Sequence, residues 1–270
     1  MPELPEVETI KRYLNKAIVG QKIAEVEVLS KKQFSGRAKD IRGTKVIGLE
    51  RRAKHLIVNF DNANSLLIHL KMTGQLVWTP RANADLPGKT TRIIIRFDKG
   101  TLFFNDMRKF GWIRILNKDQ LDQELKRYGP EPFSKDFSIK YLQSIFQKTS
   151  KPIKTVLLDQ EKIAGLGNIY ANEALFEAKI NPRKPAKALN QKEISRLKQA
   201  IVYVLKQGIK YEGSSAADEV YIKPDGSAGR YQQHFLVYQK QKQKCQKCGA
   251  TIKRVNLGGR GTFFCPKCQV

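Results

Sequence analysis

Four cysteines close to the C-terminus are the first residues whose spacing indicates a specific chemistry. They form two Cys-x2-Cys pairs separated by sixteen residues: Cys245, Cys248, Cys265 and Cys268. This spacing is typical of a structural tetrathiolate zinc site, in which four protein ligands leave no open position for a substrate. Their clustering in one short segment favours metal ligands in a reducing compartment over a disulfide framework. The sequence therefore predicts one structural Zn2+ ion, with no part in catalysis.

A second reactive group is expected at the N-terminus, where Met1 is followed by Pro2 and Glu3. An initiator methionine is normally removed before a small residue, which would expose the secondary amine of Pro2. A free α-amine has a pKa near ~8 and is partly unprotonated at neutral pH. Such an amine can attack C1′ of a sugar, and the resulting iminium drives β-elimination, with Glu3 as the adjacent proton carrier. Alternatively, residues 2–8 are only a helix start with favourable acids, which leaves the Pro2-Glu3 pair unexplained.

The chain also carries a large excess of basic residues. It has 50 Lys and Arg against 25 Asp and Glu, a formal net charge of +25. An anionic polymer is the expected partner, although a lysine-rich solvated surface would give the same total. Basic residues crowd the cysteine segment: Lys240, Lys242, Lys244, Lys247, Lys253, Arg254 and Arg260. This density favours nucleic acid over a protein partner, with Arg260 near the tip of the zinc hairpin and able to reach a phosphate.

Hydrophobic periodicity predicts the elements that position these groups in the first half of the chain. A helix is expected from Pro5 up to Gly20, with proline in its first turn and acids near its positive end. β-Branched runs then predict strands, and their spacing is suited to an antiparallel sandwich or barrel. The runs are residues 23–29, 55–60, 65–70, 75–78 and 92–97.

The second half is predicted to be mostly helical. Residues 129–132, Gly-Pro-Glu-Pro, can continue neither a helix nor a central strand and mark a linker. A capping box of Asn190 and Glu193 opens the clearest helix, and residues 211–233 show no period and predict a long loop. Helices are expected at 141–146, 155–160, 168–180 and 190–210. The fold class is α+β and multidomain: a sandwich domain at 1–130, a helical domain at 131–236 and a zinc-finger β-hairpin at 237–270.

Residues 2–9, Pro-Glu-Leu-Pro-Glu-Val-Glu-Thr, resemble the N-terminal signature of the formamidopyrimidine-DNA glycosylases, and further matching motifs follow in order over nearly the whole chain. The matching segments are residues 51–54, 69–74, 106–111 and 165–170. The last of these resembles the family's helix-two-turn-helix hairpin, in which N–H groups at a helix start grip a phosphate. Asn168 would also cap that helix.

The resemblance implies a role for each matching residue. Pro2 and Glu3 carry out the catalysis, with Lys54 near the lesion and its phosphates and Arg260 at a phosphate. Met72 intercalates, Arg108 faces the orphaned base, and Phe110 wedges into the stack. Lys154 and Asn168 contact phosphates. Each has a structural alternative: Met72 and Phe110 in the core, Lys54 solvated, and Arg108 paired with Asp106 at a strand end.

The function implied is the repair of oxidised purines, namely 8-oxoguanine and formamidopyrimidines, by a bifunctional glycosylase and abasic-site lyase that ends in β,δ-elimination. The expected partner is duplex DNA with oxidised bases or abasic sites, and the expected form is a monomer. No stretch approaches the ~18 apolar residues of a membrane span, so the cytoplasm is the expected location, with association to the nucleoid through DNA.

Two alternatives stay open from the sequence. One is the related endonuclease VIII type, which prefers oxidised pyrimidines and tends to carry glycine where this chain has Leu4. The other is a non-catalytic zinc-finger DNA-binding or architectural protein, which leaves Pro2-Glu3 unexplained. The chain also departs from the resemblance at residues 211–219, where family members commonly have two glycines and fewer acids, and at residues 239–244. Substrate preference is therefore less secure than reaction type.

Overall fold

A computed structural model of the chain describes residues 1–82, 88–215 and 221–270. The described residues divide into two compact units. The first unit comprises Met1–Arg127 and Tyr211–Gln232, and the second comprises Tyr128–Lys210 and Gln233–Val270. The first unit is thus completed by a segment from late in the sequence. The division into functional domains at residues 130 and 236 stays a prediction.

The first unit opens with helix α1, Leu4–Ile18. Glu3 is its N-cap, and the Glu6 carboxylate accepts a hydrogen bond of 2.9 Å from the backbone N–H of Glu3. Ile10, Leu14 and Ile18 recur on one face and are buried, which anchors the helix on the core. The helix predicted from Pro5 to Gly20 is confirmed, because its C-cap is the residue before that glycine.

Two sheets pack on a shared core in the first unit. The strands are β1 Ile23–Val28, β2 Phe34–Ser35, β3 Val46–Arg52, β4 His55–Phe60, β5 Ser65–His69, β6 Gly74–Thr79, β7 Thr91–Phe97, β8 Gly100–Asp106 and β9 Trp112–Leu116. One sheet has the order β1-β7-β8-β6, and the other has the order β2-β9-β5-β4-β3. All these pairs are antiparallel except β2 with β9. The predicted antiparallel sandwich is therefore confirmed, and helix α2, Lys118–Leu125, follows it.

The second unit is helical and ends in a hairpin. Its helices are α3 Ile139–Gln147, α4 Ile153–Leu157, α5 Asn168–Glu177 and α6 Gln191–Lys210, followed by strands β10 Lys253–Leu257 and β11 Arg260–Phe264. The capping box of α6 is confirmed: Glu193 N–H donates to Asn190 Oδ1 at 2.9 Å, and Asn190 N–H donates to Glu193 Oε2 at 3.0 Å. Among the described helices, none is both long and apolar enough to cross a membrane.

One prediction about helix caps is wrong. Asn168 is the first residue of α5 and not its cap, a position that Gly167 occupies. The side chain of Asn172, one turn later, donates instead to the backbone oxygen of Asn168 at 2.6 Å. Gly167 brings no side-chain acceptor, so the first N–H groups of α5 gain no capping side chain from it.

Candidate active site and zinc centre

The strand register brings three of the predicted motifs to one end of the five-stranded sheet. His55, His69 and Trp112 are neighbours across β4, β5 and β9, because His55 pairs with His69 and His69 pairs with Trp112. Lys54 directly precedes the first of these residues, Met72 follows the second by three positions, and Phe110 precedes the third by two. Segments that lie far apart in the sequence therefore meet at one end of this sheet.

Each of these three segments makes a turn at the end of the sheet, and each turn contains a non-glycine residue with φ in the left-handed region. The φ angles are 54° at Ala53, 52° at Lys71 and 56° at Lys109. A side chain is disfavoured in this region, and such residues persist where the surrounding structure fixes them and where a site needs a special geometry. The three turns are therefore held in defined shapes beside the predicted functional residues.

The structure decides several of the structural alternatives for these side chains. Lys54 is 4% exposed, so it is not a solvated surface lysine. Phe110 is 53% exposed and lies outside the core, and the Arg108 guanidinium stands 4.8 Å from the centre of its ring. Met72 is half-buried. Phe110 and Arg108 thus present an aromatic face and a planar cation together on one exposed loop.

The N-terminal residues are buried in the same unit. Pro2 lies in the interior, and Glu3 is 2% exposed. The Arg51 side chain links the first turns of α1 to the Lys54 turn, since its Nε donates to Glu8 Oε2 at 3.1 Å and its Nη1 donates to the carbonyl of Ala53 at 3.2 Å. The start of α1 and the Lys54 turn are therefore coupled through one guanidinium.

Glu6 is a buried residue beside the predicted catalytic pair whose contacts sequence reasoning missed. Its carboxylate is fully buried and binds two backbone groups: Oε2 accepts from Glu3 N–H at 2.9 Å, and Oε1 accepts from Ser214 N–H at 2.9 Å. In the sequence it appears as an acid in the first turn of a helix, and the signal that distinguishes it from Glu8 is its position three residues after Glu3, with which it forms the capping box of α1. Glu6 joins the predicted catalytic residues to the segment 211–215.

The described parts of the unusual loop are tied together at their base. Ser215 Oγ donates to the carbonyl of Tyr221 at 2.6 Å and accepts from Gly229 N–H at 2.9 Å. Glu212, one of the acids by which the chain departs from the family, receives a hydrogen bond of 2.9 Å from Lys223 Nζ. Burial and the nearby Glu6 carboxylate raise the pKa of the Tyr221 hydroxyl well above its ordinary value. Residues 216–219, which belong to the segment that departs from the family, lie outside the described residues.

A pair of neutral histidines lies beneath the three turns and was also missed. The rings of His55 and His69 meet edge to face with centroids 4.5 Å apart, and His69 Nδ1 accepts from Lys71 N–H at 2.9 Å. Burial is the largest of the causes that lower the pKa of His55 to about 3, and the nearby cations Arg127 and Lys71 contribute to this lowering. Burial likewise lowers the pKa of His69 well below its usual value. Both imidazoles are therefore uncharged at neutral pH, beside several cations.

In the second unit, Lys154 supports the hairpin. Its side chain is fully buried, and Nζ donates to the carbonyl of Gly261 and to Thr262 Oγ1, each at 2.8 Å. Asn172 of α5 adds a second tie, because its Oδ1 accepts from Phe263 N–H at 2.8 Å. The hairpin is thereby bonded to α4 and α5, while Arg260 at its turn is exposed.

The four cysteines make a site for one structural zinc ion. Their Sγ atoms all lie within 4.8 Å of one another, with 3.9 Å between Cys245 and Cys268 and 3.4 Å between Cys248 and Cys265. Zinc–sulfur bonds of ~2.3 Å in a tetrahedron require sulfur atoms about 3.8 Å apart, so the donor set fits the metal. The hairpin turn between the cysteine pairs is Gly258-Gly259, with φ angles of 57° and 72° that suit a tight two-residue turn.

Fold and site together define a zinc-finger protein of the DNA-glycosylase type. Residues 1–113 match the formamidopyrimidine-DNA glycosylase N-terminal domain, residues 128–219 match the H2TH domain of the same family, and residues 242–270 match the zinc finger found in FPG and IleRS. The chain belongs to the formamidopyrimidine-DNA glycosylase family.

Individual relatives agree over the full length. A formamidopyrimidine-DNA glycosylase of Pelotomaculum thermopropionicum is 40% identical, over 100% of this chain and 99% of the relative. A crystal structure of a variant of the Lactococcus lactis FPG with Fapy-dG containing DNA is 39% identical, with a TM-score of 0.92 over 99% of each chain. A structure of MutM with carbocyclic 8-oxo-G containing DNA has a TM-score of 0.91 at 39% identity, over 99% of each chain.

Proposed function

We propose that this protein repairs oxidised purines in duplex DNA as a bifunctional glycosylase and abasic-site lyase. The observation that carries the proposal is the arrangement at the start of α1, where Pro2 and Glu3 are buried and Glu6 holds the backbone of Glu3. Glu3 and Glu6 also form the capping box of α1, but a purely architectural DNA-binding protein gives no reason for the buried proline that precedes them. Relatives crystallised with Fapy-dG, 8-oxo-G and abasic-site DNA support the same substrate class.

The reaction follows from the chemistry of a secondary amine, once Met1 has been removed. The Pro2 nitrogen forms a bond to C1′ of the damaged nucleotide, and the glycosidic bond breaks with its electron pair going to the base, which takes up a proton. The C1′–O4′ bond then breaks with its electron pair going to O4′, which takes up a proton, and the opened sugar carries an iminium at C1′ that acidifies C2′. Loss of a C2′ proton then expels the 3′ phosphate, and a second elimination expels the 5′ phosphate. Glu3 carries protons at the sugar in these steps.

The remaining residues hold the substrate. Met72 and Phe110 fill the space left by the extruded base, and Arg108 faces its former partner. Lys54, Asn168 and Arg260 bind phosphates, a contribution that is largely independent of sequence. The zinc ion is structural and keeps the hairpin that carries Arg260 folded.

Lys154 has two proposed roles. A direct contact with a phosphate stays a prediction. The second role is to position the zinc hairpin, because its ammonium group is fully buried and bonded to Gly261 and Thr262. We also propose that the protein acts on the chromosome in the nucleoid, and that the division into a catalytic domain, a helix-two-turn-helix domain and a zinc finger at residues 130 and 236 is functional.

Borohydride trapping tests the function directly, because it reduces the iminium to a stable protein–DNA adduct. We expect an adduct with a duplex containing 8-oxoguanine and less with one containing an oxidised pyrimidine. The oxidised-pyrimidine duplex is included because the Lactococcus lactis FPG, a relative, has been crystallised with DNA containing an oxidised pyrimidine. A reversed preference would favour the endonuclease VIII type. The absence of an adduct with either duplex would favour a non-catalytic DNA-binding protein.

A further inference from the structure

Two separate loops carry the side chains proposed to enter the DNA. Met72 lies on the connection between β5 and β6, and Arg108 and Phe110 lie on the connection between β8 and β9. All four residues from Met107 to Phe110 are exposed, so little packing holds this second loop in place. Something else must set the positions of these side chains relative to one another.

A single buried carboxylate touches both loops. Asp106 is 0% exposed, and its Oδ1 accepts from Thr73 Oγ1 at 2.5 Å and from Arg108 N–H at 3.2 Å. Its Oδ2 accepts from Gly111 N–H at 2.7 Å and from Gln33 Nε2 at 2.9 Å. Four donors on one carboxylate satisfy a buried charge that would otherwise be unfavourable.

The donors to this carboxylate are the immediate neighbours of the proposed wedge residues. Thr73 follows Met72, and its Oγ1 also accepts from Arg108 N–H at 3.1 Å, which links the two loops directly. Gly111 follows Phe110 and leaves no room for a side chain, since a Cβ there would lie 2.8 Å from Phe104 Cζ. The exposed loop is therefore bonded at both ends to one buried group.

We infer that Asp106 is a positioning residue for base excision: its carboxylate fixes the Met72 loop and the Arg108–Phe110 loop as one preformed wedge. This inference rests on the proposed function. Opening a base stack needs side chains that are already in place, because ordering a mobile loop at that moment weakens the interaction. Cleavage of a pre-formed abasic site needs the wedge less, because no base has to be displaced.

The test uses the full-length protein and compares two activities, excision of 8-oxoguanine from a duplex and cleavage of a pre-formed abasic site. Thr73→Val removes only the hydroxyl that joins the loops, and we expect excision to fall about tenfold or more. Abasic-site cleavage should stay within about twofold of the parent protein. Thr73→Ser restores the hydroxyl and should recover excision.

A matched control is Thr101→Val, in which the threonine is also buried and donates to the carbonyls of Arg81 and Ala82, away from both loops. It should lower Tm to a similar degree while leaving the ratio of the two activities unchanged. Asp106→Asn, which places an amide among N–H donors, should reproduce the Thr73→Val ratio if it folds.

The inference is overturned if Thr73→Val reduces both activities equally, or if it changes neither. An equal loss would indicate a purely structural residue, and no change would show that the wedge does not depend on this contact. Failure of the proposed function itself has a different signature, because the parent protein would then form no borohydride adduct with the lesion duplex.

Discussion

The carboxylate of Glu6 accepts a hydrogen bond of 2.9 Å from the backbone N–H of Ser214, 208 residues further along the chain. Its other oxygen holds the backbone of Glu3, so one buried side chain connects the predicted proton carrier to the loop expected to cover an extruded base. A change in the loop that displaces the Glu6 carboxylate should therefore also displace the backbone of Glu3.

Two glycines of this loop allow that coupling to be isolated. Gly213 and Gly226 have nearly the same backbone strain, with φ of 82° and 84°. A Cβ at Gly213 would lie 2.9 Å from Glu6 Oε1 and 2.9 Å from Tyr221 Cε1, whereas at Gly226 it would meet nothing within 4 Å. We expect Gly213→Ala to reduce 8-oxoguanine excision at least tenfold more than Gly226→Ala, measured as single-turnover rates. Equal effects would mean that the contact with Glu6 has no catalytic consequence.

The nucleophile assignment depends on a free N-terminal amine. An additional residue before Pro2 turns its nitrogen into an amide without a nucleophilic lone pair, so base release and borohydride trapping should both be abolished. Affinity for an abasic duplex should survive, because the phosphate contacts are unchanged. Peptide mapping of the trapped parent protein should place the sugar on the N-terminal peptide. Sugar on Lys54 would refute the proline assignment and leave the glycosylase proposal standing.

Glu3→Gln should separate the two halves of the reaction. It removes a proton carrier but leaves the amine, so excision should fall by at least about 100-fold while some cleavage of a pre-formed abasic site persists. Glu25→Gln makes the same chemical change at a surface carboxylate whose side chain is 59% exposed, and it should behave like the parent protein. If Glu3→Gln lowers both activities to the same extent, Glu3 is not the group that assists departure of the base.

Metal removal should weaken DNA binding. One zinc ion per chain is expected by elemental analysis, and Cys268→Ser should lose it, because a small hairpin without its metal has little core of its own. The affinity for an abasic duplex should then fall as Arg260 loses its fixed position, while thermal unfolding of the sandwich unit should change little. A zinc-free parent protein, or a Cys268→Ser variant that binds DNA normally, would contradict this role.

The two neutral histidines predict an acid-sensitive sandwich unit. The pKa of His55 is about 3 in the folded protein against an ordinary value of 6.5, so between these values the unfolded chain binds a proton that the folded chain does not. Stability is therefore fully present above pH 6.5 and is lost as pH falls, at a slope approaching about 1.4 kcal/mol per pH unit for this residue. His55→Gln should show a shallower slope between pH 5 and 6.5 in urea unfolding, and an unchanged slope would exclude His55 as the cause.

Local patterns in the sequence predicted the elements better than their contacts. Helix α6 could be predicted because its apolar period and the Asn190–Glu193 capping box indicate the same element. The zinc site could be predicted because the spacing of the four cysteines is itself typical of a zinc site. Helix α2 was not predicted, since Asn117 and Gln120 form a capping box with no buried residue behind it.

The long-range parts of the site could not be predicted in this way. The role of Asp106 depends on partners at Gln33 and Thr73, which lie 73 and 33 residues away. The burial of Lys154 under the hairpin likewise depends on residues more than a hundred positions later. Such pairings arise from the packing of sheets and units, and no local period encodes them.

The segment Tyr211–Gln232 completes the first unit from late in the sequence, where Ser214 binds Glu6 and Pro224 accepts from Trp78 N–H at 2.7 Å. A ribosome adds ~5–20 residues per second, so the 83 residues between the two parts of this unit take about 4 to 17 s to synthesise. For that interval the nascent sandwich has none of these loop contacts. During this interval the N-terminus is not yet connected to Ser214 through Glu6. Met1 can therefore be removed before that contact forms.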